Sequence, residues 1–412
     1  MQVSAKGSLA GIRVLDLSRV LAGPWATQNL ADLGAEVIKI EHPDGGDDTR
    51  HMGPPFIRSL ESGEETDAAY FLACNRNKES VAVDIAAPEG QRLVRALASR
   101  CDVLVENFKV GGLKKYGLDF ESLHAELPEL VYCSITGFGQ TGPYRARAGY
   151  DYLIQGMGGL MSVTGERDGC PGGGPQRAGV ALADILSGMY AALAIVAALR
   201  HRDQGGGGQH IDISLLDVQV AVLANQAMNY LTTGVAPTRT GNGHPNIAPY
   251  QSFPAADGHV ILAVGNDGQF RRMAKAMGRP EIGEDHRFLT CALRLKNANA
   301  LIPLLEGVTA TRTIDEWVAV MEAAEVPCGP INTIDRVFHD PQVKERGLQI
   351  ELPHLQSGTV PSVGNPIRFS STPVSYRHGP PVLGEHTVSV LNRVLGADHD
   401  AVRAWMPKST QT

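Results

Sequence analysis

The 412-residue chain predicts an α/β protein. Its larger domain is built on a parallel sheet with helices on both faces, and a smaller α/β domain follows. Three observations predict this. Short β-branched runs alternate with helical stretches through the first half of the chain. Two long helical patterns come next, divided by the glycine run Gly205–Gly208. A second, shorter alternation begins after Pro254. Strands that alternate with helices of about 10–15 residues read as βαβ units, and such units build parallel sheets.

Ile12–Leu17 (Ile-Arg-Val-Leu-Asp-Leu) is the first predicted strand, followed by Gly23-Pro24 and a helix near Ala26–Leu33. Glu36–Glu41, entered through Gly34, is the second strand. Further strands are predicted at Ser80–Ile85, Asp102–Glu106 and Leu130–Ile135. A helix from Pro88 to about Ala98 fills one gap; proline suits a first helical turn, where its missing N–H would be unpaired in any case. These elements together make a Rossmann-like unit. Helical patterns over Val180–Arg202 and Ser214–Thr232 flank a short strand at His210–Ile213. Gly241–Pro254 reads as a loop by its glycine, asparagine and proline content. A strand at Val260–Val264, helices near Gln269–Met277 and Ile314–Ala324, and a turn at Pro327–Pro330 predict the smaller domain. A final helix is expected near Glu385–Leu395.

Composition excludes several classes. Lys and Arg number 37 against 44 Asp and Glu, a net charge of −7 with no basic run, so neither nucleic acid nor an anionic membrane is an expected partner. At 43% hydrophobic and 20% charged, the chain can bury a core and is not of the disordered class. Cys74, Cys101, Cys133, Cys170, Cys291 and Cys328 form no C-x-x-C pair and no zinc-finger spacing with histidine. Scattered thiols of this kind fit a reduced, cytoplasmic protein, and no metal is expected. The first residues, Met1-Gln-Val-Ser-Ala-Lys-Gly7, lack the apolar core of a signal peptide. From Ala178 to Leu199 the single charged residue is Asp184. That stretch is rich in alanine and glycine, and it reads as a buried helix carrying an acid.

Gly137-Phe-Gly-Gln-Thr-Gly142 is a formal G-x-G-x-x-G. Pro143 follows it at once, no apolar helix opens, and it comes after the fifth strand instead of the first. The context that a nicotinamide site needs is missing, while a glycine-rich ligand loop of another kind stays open. Nucleophile elbows, zincin motifs and phosphate loops are absent from the sequence. Carboxylates remain. Asp184 sits among apolar neighbours in Val180-Ala-Leu-Ala-Asp-Ile-Leu-Ser-Gly-Met189. It is either a capped or salt-bridged core acid, or a carboxylate nucleophile at the edge of a dry pocket. His244, in Gly241-Asn-Gly-His-Pro-Asn246, sits either in a simple turn or on a loop able to close over an intermediate. Arg19, Lys78, Lys114 and Lys115 are either phosphate contacts or solvated surface charges.

Several segments carry a resemblance. Gly11-Ile-Arg-Val-Leu-Asp-Leu17, Ala22-Gly-Pro24, Leu33–Glu41, Gly46–Arg50, Asn75–Ser80, Val105–Phe108, Ala148–Asp151, Val326–Pro330 and Val382–Thr387 resemble family III CoA-transferases. Ser134–Pro143 and Pro249–Phe253 are most similar to the succinyl-CoA:glutarate type, and the chain is also similar to formyl-CoA:oxalate enzymes. The resemblance implies a Rossmann-like large domain over 1–210, a linking helix and loop over 211–245 and a small domain over 246–335. It also implies a C-terminal return over 336–412 and an interlocked homodimer. It implies Asp184 as the catalytic aspartate, working through an aspartyl mixed anhydride and an aspartyl-CoA thioester. Coenzyme A, as an acyl-CoA substrate, would contact Val20, Leu21, His42, Val83, Asp84, Ile85, Ala86, Asn107, Phe108, Lys109, Lys115, Tyr116, Thr136, Gly137, Phe138 and Gly139. Gly241, Asn242, Gly243 and His244 would form the substrate loop. The expected reaction moves CoA from an acyl-CoA, with succinyl-CoA foremost, to a small dicarboxylic acid. An acyl-CoA racemase on a similar fold is the alternative. His42 stands where close relatives carry arginine. Thr136 and the Gly241–His244 loop replace a lysine and a four-glycine loop of the oxalate enzymes, which points away from oxalate as acceptor.

Overall fold

In the computed structural model the described residues are 7–396. The chain divides into two compact units. One is drawn from Met1–Leu160, Ala178–Ala227 and Gln342–Thr412, the other from Met161–Arg177 and Met228–Pro341.

The first unit holds a six-stranded parallel sheet. Its strands are β1 (Arg13–Asp16), β2 (Glu36–Glu41), β3 (Lys78–Ala82), β4 (Val103–Glu106), β5 (Val131–Thr136) and β6 (His210–Ser214), in the order β3-β2-β1-β4-β5-β6. Helices α1 (Ala22–Asp32), α2 (Pro88–Ala98), α3 (Asp151–Met157), α4 (Leu182–His201) and α5 (Leu215–Ala221) belong to the same unit. Alternate strand residues point to opposite faces. Val14, Val37, Val103, Val105, Val131 and Cys133 therefore enter one core with α1 and α4. Leu15, Ile38, Leu104 and Tyr132 enter the other with α2. Both faces are covered, which is why these strands read as continuous apolar runs.

The order of the strands fixes where a ligand can sit. The chain winds outward from β1 to β3, then returns and continues on the other side through β4 to β6. Winding reverses between β1 and β4, and open α/β sheets hold ligands beyond the carboxyl ends at such a reversal. Arg19 follows β1 and Asn107 follows β4, and the two are tied across that point. The Arg19 amide donates to Asn107 Oδ1 at 2.9 Å, and Asn107 Nδ2 donates to the Arg19 carbonyl at 2.6 Å.

The second unit is built on an antiparallel sheet of β7 (Tyr250–Ala255), β8 (Gly258–Ala263) and β9 (Cys328–Pro330), in the order β9-β8-β7. Helices α6 (Asp267–Ala276), α7 (Ala298–Thr309) and α8 (Ile314–Ala323) pack with it around Phe253, Leu262, Phe270, Leu305 and Trp317. Three local expectations change here and next to it. The predicted loop Gly241–Pro254 becomes strand from Tyr250, since Tyr250–Ala255 pairs with Gly258–Ala263. The predicted turn Pro327–Pro330 is an edge strand, the position that tolerates a proline. The single helix predicted over Ser214–Thr232 is two, Leu215–Ala221 and Ala224–Thr233, broken where Ala224 takes φ +46° at the start of the second.

The C-terminal stretch of the first unit adds a hairpin, β10 (Gln349–His354) with β11 (Gly358–Val363), and helix α9 (Thr387–Leu395). Val390 and Leu391 of α9 join the core that α2 covers. This stretch also satisfies polar groups buried far upstream. Asn365 Nδ2 donates to Asp32 at 3.0 Å, Arg50 donates to the Pro381 carbonyl at 3.0 Å, and the Asn77 amide donates to the His378 carbonyl at 3.0 Å.

Candidate active site

Two adjoining clefts open at the reversal between β1 and β4, and Arg19, Phe108 and Lys109 line both. The first, about 460 Å³, runs over the carboxyl ends of β2 and β3 and is lined by His42, Val83, Asp84, Ile85, Ala86, Lys115 and Tyr116. The second, about 190 Å³, lies toward β5 and is lined by Val20, Leu21, Asn107, Thr136, Gly137, Arg145, Arg147 and Asp184. Two of the sixteen residues expected to touch CoA line neither. Phe138 is buried in the core of the sheet face that carries α4, and Gly139 turns at φ +83° with its amide on Thr136 Oγ1.

The first cleft has a polar rim and an apolar floor. His42 Nε2 stands 3.8 Å from Asp84 Oδ1. Lys115 Nζ lies 4.5 Å from the Tyr116 ring centre, and the Arg19 guanidinium lies 5.2 Å from that of Phe108. Both rings are half-buried, and the Lys115 ammonium over Tyr116 keeps its charge available to an anion. Lys78 does not join them. It is fully buried and donates to Asp16, Asn75 and the Pro24 carbonyl, so it is a core ion. Lys114 lies on a separate cavity with Ser134 and His210.

Buried charge holds the turn after β1. Asp16 accepts from Ser18, Thr27 and Lys78, and Lys39 donates to the Ser18 carbonyl and to Asp47, each at 2.8 Å. Asp47 in turn accepts from the Val20 amide at 3.2 Å. Val20 takes φ +69°, a conformation that β-branched residues rarely adopt. Strain of this kind persists only where the surroundings impose it, and here it lies on the wall of the second cleft.

Asp184 sits in the first turn of α4. Gly188, one turn on, lets α4 meet α1 closely: a Cβ there would lie 2.5 Å from the Ala22 carbonyl oxygen. Asp151 caps the same helix, its Oδ1 accepting from the amides of Ala183 at 2.8 Å and Asp184 at 3.4 Å. A helix N-terminus ordinarily favours a carboxylate. Here Asp151 already occupies those amides. Burial, and then the charge of Asp151, push the Asp184 carboxyl up to about 7. Tyr70 is close enough to feel Asp184; its hydroxyl is pushed up to about 12, by burial first and then by that carboxylate.

The glycine motif has a packing role. A Cβ on Gly137 would lie 2.5 Å from the Cα of Gly149, so two backbones touch there. That contact draws the Arg145–Tyr150 segment to the end of β5. Arg145, Arg147, Tyr70 and Asp151 were not singled out from the sequence. The visible signal was the pair of arginines just before Ala148-Gly-Tyr-Asp151.

Gly241, Asn242, Gly243 and His244 belong to the second unit. They line a cavity of about 580 Å³ there. The His244 amide donates to the Tyr250 carbonyl at 3.0 Å, and its Nδ1 accepts from the Asn246 amide at 3.0 Å, so the loop is pinned by its own bonds. Among the described residues no cluster of metal-ligating side chains is present.

The family model described as CoA-transferase family III matches residues 9–387. The chain belongs to CoA-transferase family III. The transferase is 53% identical over 386 residues to the succinate–glutarate CoA-transferase of Agrobacterium fabrum, covering 94% of this chain and 95% of that one. It is 44% identical over 394 residues to the succinyl-CoA:glutarate CoA-transferase of Mus musculus, covering 96% and 88%. Among solved structures, a CaiB/BaiF family protein from Brucella suis superposes with a TM-score of 0.83 at 50% identity, over 94% of this chain and 100% of that one. The sequence resemblance and the α/β fold expected from it therefore hold for this transferase.

Proposed function

We propose that this transferase moves CoA from succinyl-CoA to a small dicarboxylic acid, with Asp184 as nucleophile. The observation that carries the reading is Asp184 itself: an acid pushed up to about 7, lining the smaller of two clefts at the sheet reversal. The names of the Agrobacterium and mouse relatives support the donor and the dicarboxylate class. The larger cleft suits the CoA moiety, with Lys109 and Lys115 available to its phosphates.

The Asp184 carboxylate attacks the donor thioester carbonyl; the C–S bond breaks, leaving a mixed anhydride and a CoA thiolate. That thiolate attacks the aspartyl carbonyl, releasing the donor acid and forming an Asp184–CoA thioester. The acceptor carboxylate then displaces the thiolate from Asp184 to give a second anhydride. Thiolate attack on the acceptor acyl carbon yields the new acyl-CoA and regenerates Asp184. Each intermediate retains the energy of the thioester. Desolvation around Asp184 strengthens the carboxylate as a nucleophile.

We also propose that the transferase works as a homodimer, interlocked as the family resemblance implies. The exposed apolar face of α4, formed by Met189, Tyr190, Leu193 and Val196, supports a partner surface.

Intact-protein mass spectrometry after incubation with succinyl-CoA, on wild type and Asp184→Asn, tests the covalent step. A CoA-sized or hydroxylamine-trapped adduct mapped to Asp184 and lost in the variant is the expected result. Absence of any adduct, with solvent deuterium entering the α-carbon of a branched acyl-CoA, would move the assignment to a racemase. Sedimentation analysis tests the dimer, and a monomer at assay concentration refutes it.

A further inference from the structure

The smaller cleft carries more positive charge than an acyl thioester needs. Asp184 shares it with Arg19, Arg145 and Arg147, of which Arg145 also borders the cavity that holds Lys114. Arg19 is already committed, 3.5 Å from Asp48 and lying over Phe108. Arg147 is held between two rings, 5.3 Å from the centre of Phe138 and 4.6 Å from that of Tyr144, and neither contact neutralises it. Arg145 has no carboxylate in salt-bridge range among the described residues, and its segment is drawn to the end of β5 by the Gly137–Gly149 contact.

Two unneutralised guanidinium groups on one wall of a cleft attract an anion. Two carboxylates already line the cleft: Asp48, which lies 3.5 Å from Arg19, and Asp184, which its surroundings raise and do not lower. Its shift is set by burial and by Asp151. The arginines are therefore free for a charge that arrives with the substrate. At about 190 Å³ the space is smaller than the clefts of about 300–1,000 Å³ that hold drug-sized ligands, so the arriving group is short. The CoA phosphates have cations of their own in the larger cleft, where Lys115 lies and Arg145 and Arg147 do not.

We infer that Arg145 and Arg147 are specificity-determining residues that bind the distal carboxylate of a short dicarboxylic acid whose proximal carboxyl reacts at Asp184. The inference rests on the transferase reading above and deepens it. A guanidinium offers a planar fork of donors matched to a carboxylate, which a monocarboxylic acid cannot use. A binding site with such donors discriminates against the analogue that leaves them unpaired.

A competition assay tests this. Wild type, Arg145→Gln, Arg147→Gln, the double variant and Arg145→Lys are each given succinyl-CoA with equal glutarate and butyrate, and the ratio of glutaryl-CoA to butyryl-CoA is measured by mass spectrometry. Both products arise from the same charged enzyme, so the ratio is insensitive to the fraction folded and to the donor step. Wild type is expected to favour glutaryl-CoA. Losing a charged hydrogen-bond partner lowers that ratio by about ten- to a hundred-fold in at least one single variant, and further in the double variant. Arg145→Lys keeps the charge without the fork and gives an intermediate ratio. A ratio unchanged in the double variant overturns the assignment, as does a wild type without preference. Formation of neither product by wild type refutes the succinyl-CoA-to-dicarboxylate reading itself, a result distinct from loss of selectivity.

Discussion

Asp151 Oδ1 lies 2.8 Å from the amide of Ala183 and 3.4 Å from that of Asp184, so one acid caps the helix that presents the other. The cap removes the favourable effect that a free helix start would have on Asp184, and its charge adds to the cost of ionising it.

Replacing Asp151 by Asn keeps a side-chain acceptor for the amides and removes the charge. The Asp184 carboxyl then falls below about 7 yet stays above the ordinary aspartate range, because burial, the larger cause, is unchanged. The rising limb of kcat/KM against pH is expected to move to lower pH in this variant. An unmoved limb would show that the charge of Asp151 is not felt at Asp184.

Asp184→Asn is expected to be inactive and more stable than wild type at pH 8. The folded-state pKa, about 7, lies above the unfolded value near ~3.9, so the native protein holds the proton between those limits. Stability linked to this group is complete below about pH 4 and is lost as pH rises through about 7. The side chain lines an open cleft, so a gain of about 1–2 kcal/mol at pH 8, vanishing near pH 4, is the expected size. Denaturant titrations at the two pH values check it.

Gly188→Ala places a methyl group 2.5 Å from the Ala22 carbonyl oxygen and 3.1 Å from Trp25 Cβ. Backbone on one side leaves α1 to move. A loss of about 1–3 kcal/mol is expected, with a drop in kcat because Asp184 lies one turn away. Thermal melts and single-turnover rates measure the two effects separately.

Lys78→Met strands the Asp16 carboxylate, which is 0% exposed. Removing one member of a buried pair ordinarily costs about 3–5 kcal/mol. The variant should lose that stability, while CoA affinity of the fraction that stays folded changes little. A selective loss of CoA binding without destabilisation would return Lys78 to the ligand.

Much of the fold was legible because the central strands are largely apolar on both faces and Pro88–Ala98 keeps one buried stripe. Glu36–Glu41 and Pro88–Ala98 have the ends that their patterns indicate. Local chemistry misled where tertiary pairing decided: Pro330 sits in an edge strand because Val260 pairs with it, and nothing within Pro327–Pro330 records that partner. The site was legible in Asp184, an acid isolated in an apolar run. Its two arginines were not, since Arg145 and Arg147 are exposed charges without periodicity, and their relation to Asp184 depends on Gly137 meeting Gly149. Lys78 and Lys115 are alike as letters; burial alone separates a core ion from a cleft cation.

The late bonds from Asn365, Pro381 and His378 to Asp32, Arg50 and Asn77 have a consequence for how the protein is made. A growing chain emerges with the whole parallel sheet and Asp184 before the residues that close its polar core have been synthesised. Until then Asp32 and Arg50 lack partners that the finished fold supplies, and the wall that Arg50 and Glu41 brace stays loose. Shortening the gene from its 3′ end should therefore abolish the enzyme well before it reaches any residue of the cleft.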